Sequence, residues 1–164
     1  MKKRIYLSLG SNVGGRAENL RKGIEQLGEF GAVVAVSSFY ETEPVEVNDQ
    51  QPWFLNCAVA METELMPRQF LSRALALEHA MGRRRTGTRS PRTLDIDILF
   101  FGDSVIETTE LTVPHPGLAH RRFVLEPLAE IAPELCHPLL KLSVRQMLER
   151  LPSNAGIVHQ WKEE

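Results

Sequence analysis

A short run of residues near position 95 alternates between acidic and apolar side chains, which is the pattern of a β-strand with one buried face. Asp95 and Asp97 would project from the same face of this strand, with Cα atoms roughly 7 Å apart. The opposite face would point into a core and would carry Leu94, Ile96, Ile98 and Phe100. The pattern therefore requires a sheet that other elements cover on one side.

Further segments carry the periodicity of strands and helices in an order that limits the topology. They are a strand at 5–9, a helix from Ala17 to Leu27, a strand at 32–40, a strand at 54–61 and a helix from Pro67 to Met81. With the acidic strand, the order is strand-helix-strand-strand-helix-strand. This order predicts an α+β fold, the ferredoxin-like α/β sandwich, in which helices pack on a mostly antiparallel sheet.

The rest of the chain predicts elements that extend this sandwich. Short strands are expected at 105–106 and 111–113, a helix at 123–131 interrupted at Pro127, and an edge strand at 156–161. Ser143 and Gln146 have the spacing of a capping box before a last helix. Because no linker, repeat or low-complexity tract occurs, we expect residues 1–164 to form a single domain.

Composition and charge exclude several classes of protein. The net charge of −2 argues against nucleic acid as the main partner, since the basic residues concentrate in one loop. Cys57 and Cys136 lack the spacing of a metal site, so we expect buried free thiols in a reducing compartment. No signal peptide and no apolar stretch of about 20 residues is visible, which predicts a cytoplasmic protein without a membrane partner.

The acidic strand and the loop before it carry opposite charges. Two carboxylates on one strand face repel each other unless cations lie between them, and such a pair suits Mg²⁺. The segment 82–92 supplies arginines, at Arg83, Arg84, Arg85, Arg89 and Arg92. Together they suit a metal-bound polyphosphate. The alternative is a solvated strand face beside a basic loop.

Other candidate residues admit both a functional and a structural interpretation. Phe54 and Asn56 would share a strand face, where they could stack on a flat heterocycle and bind its edge, or belong to the core. Glu78 could bind a ribose hydroxyl or pair with an arginine. The glycines after the first strand match neither GxGxxG nor a Walker motif, so a tight turn is the expected role of Gly10.

In their order along the chain, these motifs match one known family. The sequence resembles the 6-hydroxymethyl-7,8-dihydropterin pyrophosphokinases of folate biosynthesis over almost its full length. The segments that carry the resemblance are Leu9-Gly10-Ser11-Asn12, Ser38-Phe39-Tyr40-Glu41-Thr42, Phe54-Leu55-Asn56, Glu78 with Gly82-Arg83, Pro91-Arg92-Thr93-Leu94-Asp95-Ile96-Asp97-Ile98-Leu99, Leu111-Thr112-Val113-Pro114-His115-Pro116, Arg121 with Phe123-Val124-Leu125, Pro127-Leu128 and Glu130-Ile131-Ala132-Pro133.

The resemblance implies an enzyme that moves the pyrophosphoryl group of ATP to the hydroxymethyl group of the pterin and releases AMP. It implies that Asp95 and Asp97 hold two Mg²⁺ ions, and that Arg83 and Arg92 contact the phosphates as catalytic residues. The implied ATP contacts also include Glu78, Ile98, Thr112, His115 and Arg121. The implied pterin contacts are Thr42, Val45, Phe54, Asn56 and Phe123. A monomer is expected because the family suggests it.

Some features depart from the family pattern or leave alternatives open. Arg89-Ser90 stands where the family often has Trp-Gly, and Glu110 stands where some members have arginine. We expect the segments 41–51 and 82–90 to close over the substrates. The competing hypotheses are a ferredoxin-like module that binds RNA through the arginines, and a Mg²⁺-dependent transferase with another acceptor.

Overall fold

The computed structural model describes residues 1–42, 53–82, 93–152 and 158–162. The strands are β1 (Lys3–Ser11), β2 (Ala32–Val36), β3 (Tyr40–Thr42), β4 (Phe54–Thr63), β5 (Asp95–Phe101), β6 (Ile106–Glu107), β7 (Thr112–Val113) and β8 (Val158–Gln160). The α-helices are α1 (Arg16–Leu27), α2 (Pro67–Ala80), α3 (Arg122–Ile131) and α4 (Val144–Glu149), and a 3₁₀ turn spans Leu118–His120.

The main sheet has the strand order of a ferredoxin-like sandwich. Its order is β5-β1-β4-β3-β8, and β2 pairs with the other half of β4. All the pairings described are antiparallel, and β6 and β7 form a separate small hairpin. The predicted fold class and the predicted C-terminal edge strand are confirmed.

Each face of the sheet is covered by a different pair of helices. The first face packs against α1 and α2 through fully buried side chains such as Leu7, Leu20 and Phe70. The second face packs against α3 and α4, where Phe100, Leu125 and Val144 are buried together. On this second face, Phe54, Asp95 and Asp97 at the start of β4 and β5 are only half-buried, so this part of the face can form a site.

The predicted strand at 32–40 is wrong in one respect, because it is divided into β2 and β3. At the break, the backbone N–H of Ser37 donates to the carbonyl of Ala58, and Ser37 Oγ accepts from the backbone N–H of the same residue. The buried hydroxyl therefore replaces a backbone group of the ladder. The break lets β2 and β3 pair with separate parts of β4.

The alternation in β5 holds for its first half and fails at a β-bulge. Tyr6 pairs with Phe100 and Leu7 pairs with Ile98, so Leu99 is an extra residue in the ladder. As a result Phe100 lies in the cluster beneath α3, on the face opposite to Ile98. The prediction that Phe100 and Ile98 share a face is therefore wrong, because one inserted residue reverses the alternation.

Other local predictions have mixed outcomes. The helix α3 continues through Pro127, so the predicted interruption is wrong; burial of Leu125 and Leu128 outweighs the one hydrogen bond that the proline lacks. The capping box is confirmed, since Ser143 Oγ accepts from the Gln146 N–H at 3.1 Å and the Gln146 side chain accepts from the Ser143 N–H at 2.8 Å.

Both cysteines are free thiols, as predicted, but only one is buried. Burial raises the pKa of Cys57 to about 12, so this thiol is protonated and unreactive at neutral pH. Cys136 is exposed, which contradicts the prediction for it. None of the helices in the described ranges has the length and apolar character needed to cross a membrane.

Candidate active site

The candidate site lies where β1 ends and β4 and β5 begin, on the face of the sheet that α3 partly covers. One row of paired residues crosses the sheet here, from Asp95 through Gly10 and Asn56 to Tyr40. Paired residues of an antiparallel sheet project from the same face, so this row connects the acidic strand to the aromatic and amide residues of β4. The site therefore has an acidic half and an aromatic half on one continuous surface.

The acidic half begins with the two carboxylates of β5. Asp95 and Asp97 are half-buried on one face, while Ile96 and Ile98 are buried on the other. The predicted alternation is therefore confirmed for the acid pair. In the part of the chain that the structure describes, no group of three or more His, Cys, Asp or Glu side chains converges on one point.

A cavity of about 480 Å³ opens beside these carboxylates, along the edge of β5 that pairs with no other strand of the described residues. Its walls come from the acidic strand, from α2 and from the segment that leads to α3. The lining residues are Leu71, Leu75, Glu78, Asp95, Ile96, Asp97, Ile98, Thr109, Glu110, Leu111, Thr112, His115, Pro116 and Arg121. The cavity thus brings together the sequence-predicted residues Glu78, Asp95, Asp97, Ile98, Thr112, His115 and Arg121.

Glu78 joins α2 to the free edge of β5. Its side chain is buried, and its Oε2 accepts a hydrogen bond of 2.6 Å from the backbone N–H of Ile96. The Ile96 N–H therefore points away from β1. Because backbone groups alternate along a strand, those of Ile98 face the same open edge and line the cavity. This wall offers backbone donors and acceptors to a ligand.

His115 is held by backbone contacts on both of its sides. Its N–H donates to the carbonyl of Leu99 at 3.0 Å, so the β-bulge anchors this residue. Its Nδ1 accepts a hydrogen bond of 3.1 Å from the Gly117 N–H. Because Nδ1 is an acceptor, the proton of the neutral imidazole ring is on Nε2. That Nε2 lies 3.8 Å from Asp97 Oδ1.

The charge state of His115 is set mainly by burial. Burial lowers the pKa of His115 and the nearby Arg121 guanidinium lowers it further, while Asp95 acts in the opposite direction. The ring is therefore neutral at neutral pH and presents Nε2–H as a hydrogen-bond donor toward the acid pair.

Arg121 lies where the cavity meets the aromatic half of the site. Its guanidinium carbon is 5.8 Å from the centre of the Phe123 ring, a cation–π arrangement. Gly117 leaves the space for it, since a Cβ atom there would lie 2.7 Å from Arg121 Nε.

Glu110 also lines the cavity, and its Oε2 is 3.7 Å from a guanidinium nitrogen of the exposed Arg68.

The aromatic half is built around the amide of Asn56. Asn56 Oδ1 accepts a hydrogen bond of 2.8 Å from Thr42 Oγ1, and both side chains are buried. This bond leaves Asn56 Nδ2 as a donor. The half-buried rings of Phe54 and Phe123 belong to β4 and α3, which flank this part of the surface. The arrangement is suited to a flat ring with polar edges.

Sequence reasoning missed the part that Gly10 plays. The expected tight turn is wrong, because Gly10 belongs to β1 and pairs with both Asn56 and Asp95. A Cβ atom at this position would lie 2.7 Å from Asn56 Nδ2. The glycine is therefore needed to admit the Asn56 amide, and the residue between the two halves has no side chain.

A comparison with known families decides the classification. The model of the 7,8-dihydro-6-hydroxymethylpterin-pyrophosphokinase (HPPK) family matches residues 6–133, which include every described residue of the site. The chain belongs to the HPPK family. The family resemblance found in the sequence is thereby confirmed.

Individual relatives of this HPPK chain differ in length. The 2-amino-4-hydroxy-6-hydroxymethyldihydropteridine pyrophosphokinase of Bacillus subtilis is 46% identical over 132 residues, which are 79% of this chain and 78% of the relative. The folic acid synthesis protein fol1 of Schizosaccharomyces pombe is 40% identical over 90% of this chain. This HPPK chain spans only about a fifth of the length of that relative.

Crystal structures of other proteins share the fold. The Plasmodium falciparum HPPK-DHPS wild type with pteroate superimposes with a TM-score of 0.75 at 18% identity, over 92% of this chain and 42% of the other. The A437G/K540E form with pterin and p-hydroxybenzoate gives a TM-score of 0.74 at 17% identity over the same share of this HPPK chain. At this identity the likeness establishes the fold alone.

Several predicted site residues lie outside the described residues of this HPPK chain. They are Val45, Arg83, Arg92 and the departure at Arg89-Ser90. The predicted closing segments 41–51 and 82–90 lie there too, apart from Glu41, Thr42 and Gly82. Their roles therefore stay predictions.

Proposed function

We propose that the chain transfers the pyrophosphoryl group of ATP to the hydroxymethyl group of 6-hydroxymethyl-7,8-dihydropterin and releases AMP. The observation that carries this proposal is the continuity of the two halves of the site. The row from Asp95 through Gly10 to Asn56 places a carboxylate pair and an aromatic–amide surface on one face. A reaction between a polyphosphate and a flat heterocycle needs both surfaces side by side. The identity of relatives such as the Bacillus subtilis pyrophosphokinase supports the same reaction.

ATP would occupy the cavity along the edge of β5. A volume of about 480 Å³ lies within the range of small-molecule sites. The backbone of Ile98 and the neighbouring Thr112 would bind the edge of the adenine, since both line the cavity. Glu78 would stabilise that wall through the Ile96 N–H and would contact the nucleotide beside it.

The phosphates would extend from this cavity toward the acid pair. Asp95 and Asp97 fit Mg²⁺ because this ion takes one or two carboxylates together with substrate phosphates, and does not need a cage of protein ligands. We propose that the pair holds two ions. When bound, Mg²⁺ neutralises phosphate charge and polarises the bonds that change.

The remaining polar groups would align the phosphates for in-line attack. His115 offers Nε2–H to a phosphate oxygen without adding charge, and Arg121 offers a guanidinium at the mouth of the cavity. We propose that Arg83 and Arg92 add further contacts to the phosphates. The hydroxymethyl oxygen then forms a bond to the β-phosphorus while the bond from the β-phosphorus to the bridging oxygen breaks. AMP leaves with that oxygen, and the hydroxyl proton passes to solvent.

The pterin would lie between the rings of Phe54 and Phe123. Asn56 Nδ2 would donate to an acceptor on the ring, because its own Oδ1 is already bound to Thr42. We propose that Thr42 and Val45 add backbone contacts. This orientation would turn the hydroxymethyl group toward Asp95 and the phosphates.

A product assay tests the proposal directly. Purified protein, ATP, Mg²⁺ and 6-hydroxymethyl-7,8-dihydropterin should give AMP and the pterin pyrophosphate in equal amounts by mass spectrometry. ADP with a monophosphorylated pterin would contradict the assigned phosphorus. No product, together with salt-sensitive RNA binding, would favour the RNA-binding alternative.

The acid pair is tested by Asp97→Ala. Removing one of the proposed metal ligands should lower kcat by about 10³-fold or more, since a metal clamp on phosphates supplies several kcal/mol to the transition state. Asp103→Ala is a matched control, because Asp103 is an exposed aspartate in the turn after β5. Near-normal turnover by Asp97→Ala would contradict the metal assignment.

Light scattering of the same preparations tests the expected monomer.

A further inference from the structure

Arg16 occupies an unfavourable position for a cation and is nevertheless held tightly. It is the first residue of α1, where the helix dipole is positive, and the preceding Gly15 provides no side-chain cap. Its side chain is only 22% exposed. The contacts of the guanidinium therefore have to offset both the dipole and the partial burial.

Those contacts connect two separate strands. Arg16 donates from one guanidinium nitrogen to Glu41 Oε2 at 2.7 Å and from the other to the backbone carbonyl of Trp53 at 2.7 Å. Glu41 belongs to β3, and Trp53 immediately precedes β4. The forked guanidinium binds both partners at once, which the single ammonium group of a lysine does less well.

The bridged strands carry the residues of the aromatic half of the site. Thr42 follows Glu41, Phe54 follows Trp53, and these two residues pair with each other in the sheet. Thr42 also orients Asn56 through its hydroxyl group. A shift of β3 against β4 would therefore move a stacking ring and an amide group together.

A contact with β8 strengthens the same arrangement. His159 Nε2 lies 3.4 Å from Glu41 Oε1, so the two carboxylate oxygens of Glu41 have different partners. The His159 ring also lies 5.7 Å from the ring of Trp53. Arg16, Glu41, Trp53 and His159 form a cluster, here called the Arg16 bridge, that joins α1, β3, β4 and β8.

We infer that Arg16 is a positioning residue for the pterin: by bridging Glu41 and Trp53 it fixes the Thr42–Phe54 pair, and so determines affinity for the flat heterocycle and not for the nucleotide. The inference rests on the proposed function. It is independent of the cavity beside β5, whose lining does not include any member of the Arg16 bridge.

The test compares Arg16→Ala and Arg16→Lys with Lys22→Ala. Lys22 is an exposed cation of the same helix, so its removal changes the charge and leaves the bridge intact. Loss of the bridge should raise KM for the pterin about tenfold, the equivalent of one lost hydrogen bond in binding. KM for ATP should stay unchanged. Arg16→Lys should restore part of the pterin affinity, and Lys22→Ala should match the wild type.

Different outcomes separate the inference from the proposed function. If the wild type forms no pyrophosphorylated product, the proposed function is wrong. If the wild type is active and Arg16→Ala keeps the wild-type KM for the pterin, only the inference is wrong. An equal rise in both KM values would also overturn it, since that result indicates a general loss of structure. If Arg16→Ala does not fold, Glu41→Gln replaces it in the test. Glutamine keeps the shape of the Glu41 side chain and weakens its contact with Arg16, so the KM values for the pterin and for ATP can be compared in the same way.

Discussion

Gly10 provides a sharp test of how the two halves of the site are joined. A Cβ atom at this position would lie 2.7 Å from Asn56 Nδ2 and 3.5 Å from Phe54 Cδ1. The first distance is shorter than side-chain carbons approach other atoms, so Gly10→Ala must displace the Asn56 amide. The backbone of Gly10 is that of a strand, so alanine at this position adds no strain in φ.

The expected magnitude follows from the contact that the displaced amide makes. Asn56 Oδ1 accepts from Thr42 Oγ1 at 2.8 Å in buried surroundings. Breaking such a bond costs about 1–3 kcal/mol, and replacing glycine in a strand returns roughly 0.5–1 kcal/mol. The free energy of unfolding should therefore fall by about 2.5 kcal/mol at most. Pterin affinity should fall by about tenfold or more, because the amide that we propose binds the ring has moved.

Fluorescence titration with a pterin, in the presence of Mg²⁺ and a non-hydrolysable ATP analogue, measures the affinity, and urea unfolding measures the stability. Gly15→Ala is the matched control, because a Cβ atom at Gly15 has its nearest neighbours at 3.8 Å. Wild-type pterin affinity in Gly10→Ala would refute the reasoning, since the Asn56 amide would then have no part in binding the ring. A loss of the same size in Gly15→Ala would refute it as well.

Other predictions concern the acidic half of the site. Glu78→Ala should lower the free energy of unfolding by about 1–3 kcal/mol, because the buried Ile96 N–H loses its acceptor, and Glu78→Gln should recover most of this loss in urea unfolding. His115 should contribute to acid destabilisation. The pKa of His115 is lower in the folded protein than in the unfolded chain. Below about pH 6.5 the unfolded chain therefore binds the proton more readily, and the free energy of unfolding decreases as the pH decreases. His115→Gln should therefore lose less stability than the wild type between pH 7 and pH 5 in thermal unfolding; an unchanged slope would contradict the assignment.

The part of the site that sequence could predict depends on strictly local patterns. Asp95 and Asp97 share a face because a strand has a period of two, and this needs no knowledge of the partner strands. The capping box at Ser143 and the order of the strands and helices are likewise predicted from residues that lie close together in the sequence. These features follow from the residues themselves, and the structure agrees with them.

The features that sequence could not predict depend on pairing between distant residues. The run from Ile98 to Phe101 is apolar throughout, so it fits a bulged and an unbulged strand equally well. The bulge becomes visible only in the pairing with β1, where Tyr6 lies opposite Phe100 and Leu7 lies opposite Ile98. The turn predicted at Gly10 fails for the same reason, because the space that the glycine provides is filled by a side chain from another strand.

Arg16 could not be singled out by its surroundings in the sequence. A cation at the start of an amphipathic helix is usually solvated, and the nearest of its partners, Glu41, is 25 residues away. The partners become neighbours only when β3 pairs with β4. A glycine pair followed by an arginine at the start of a helix gives no signal of that contact.

The outer edge of β5, which pairs with no other strand in the described part of the chain, has a consequence for the behaviour of the protein without substrate. An unpaired edge strand is a template on which another chain can add a strand and begin to aggregate. Here the carboxylate of Glu78 already accepts from the Ile96 N–H, and the bulge carbonyl of Leu99 accepts from the His115 N–H. These contacts shape the proposed nucleotide site and also leave fewer backbone groups of this edge for a neighbouring strand. Resistance to aggregation and the proposed binding of ATP would therefore depend on the same few hydrogen bonds.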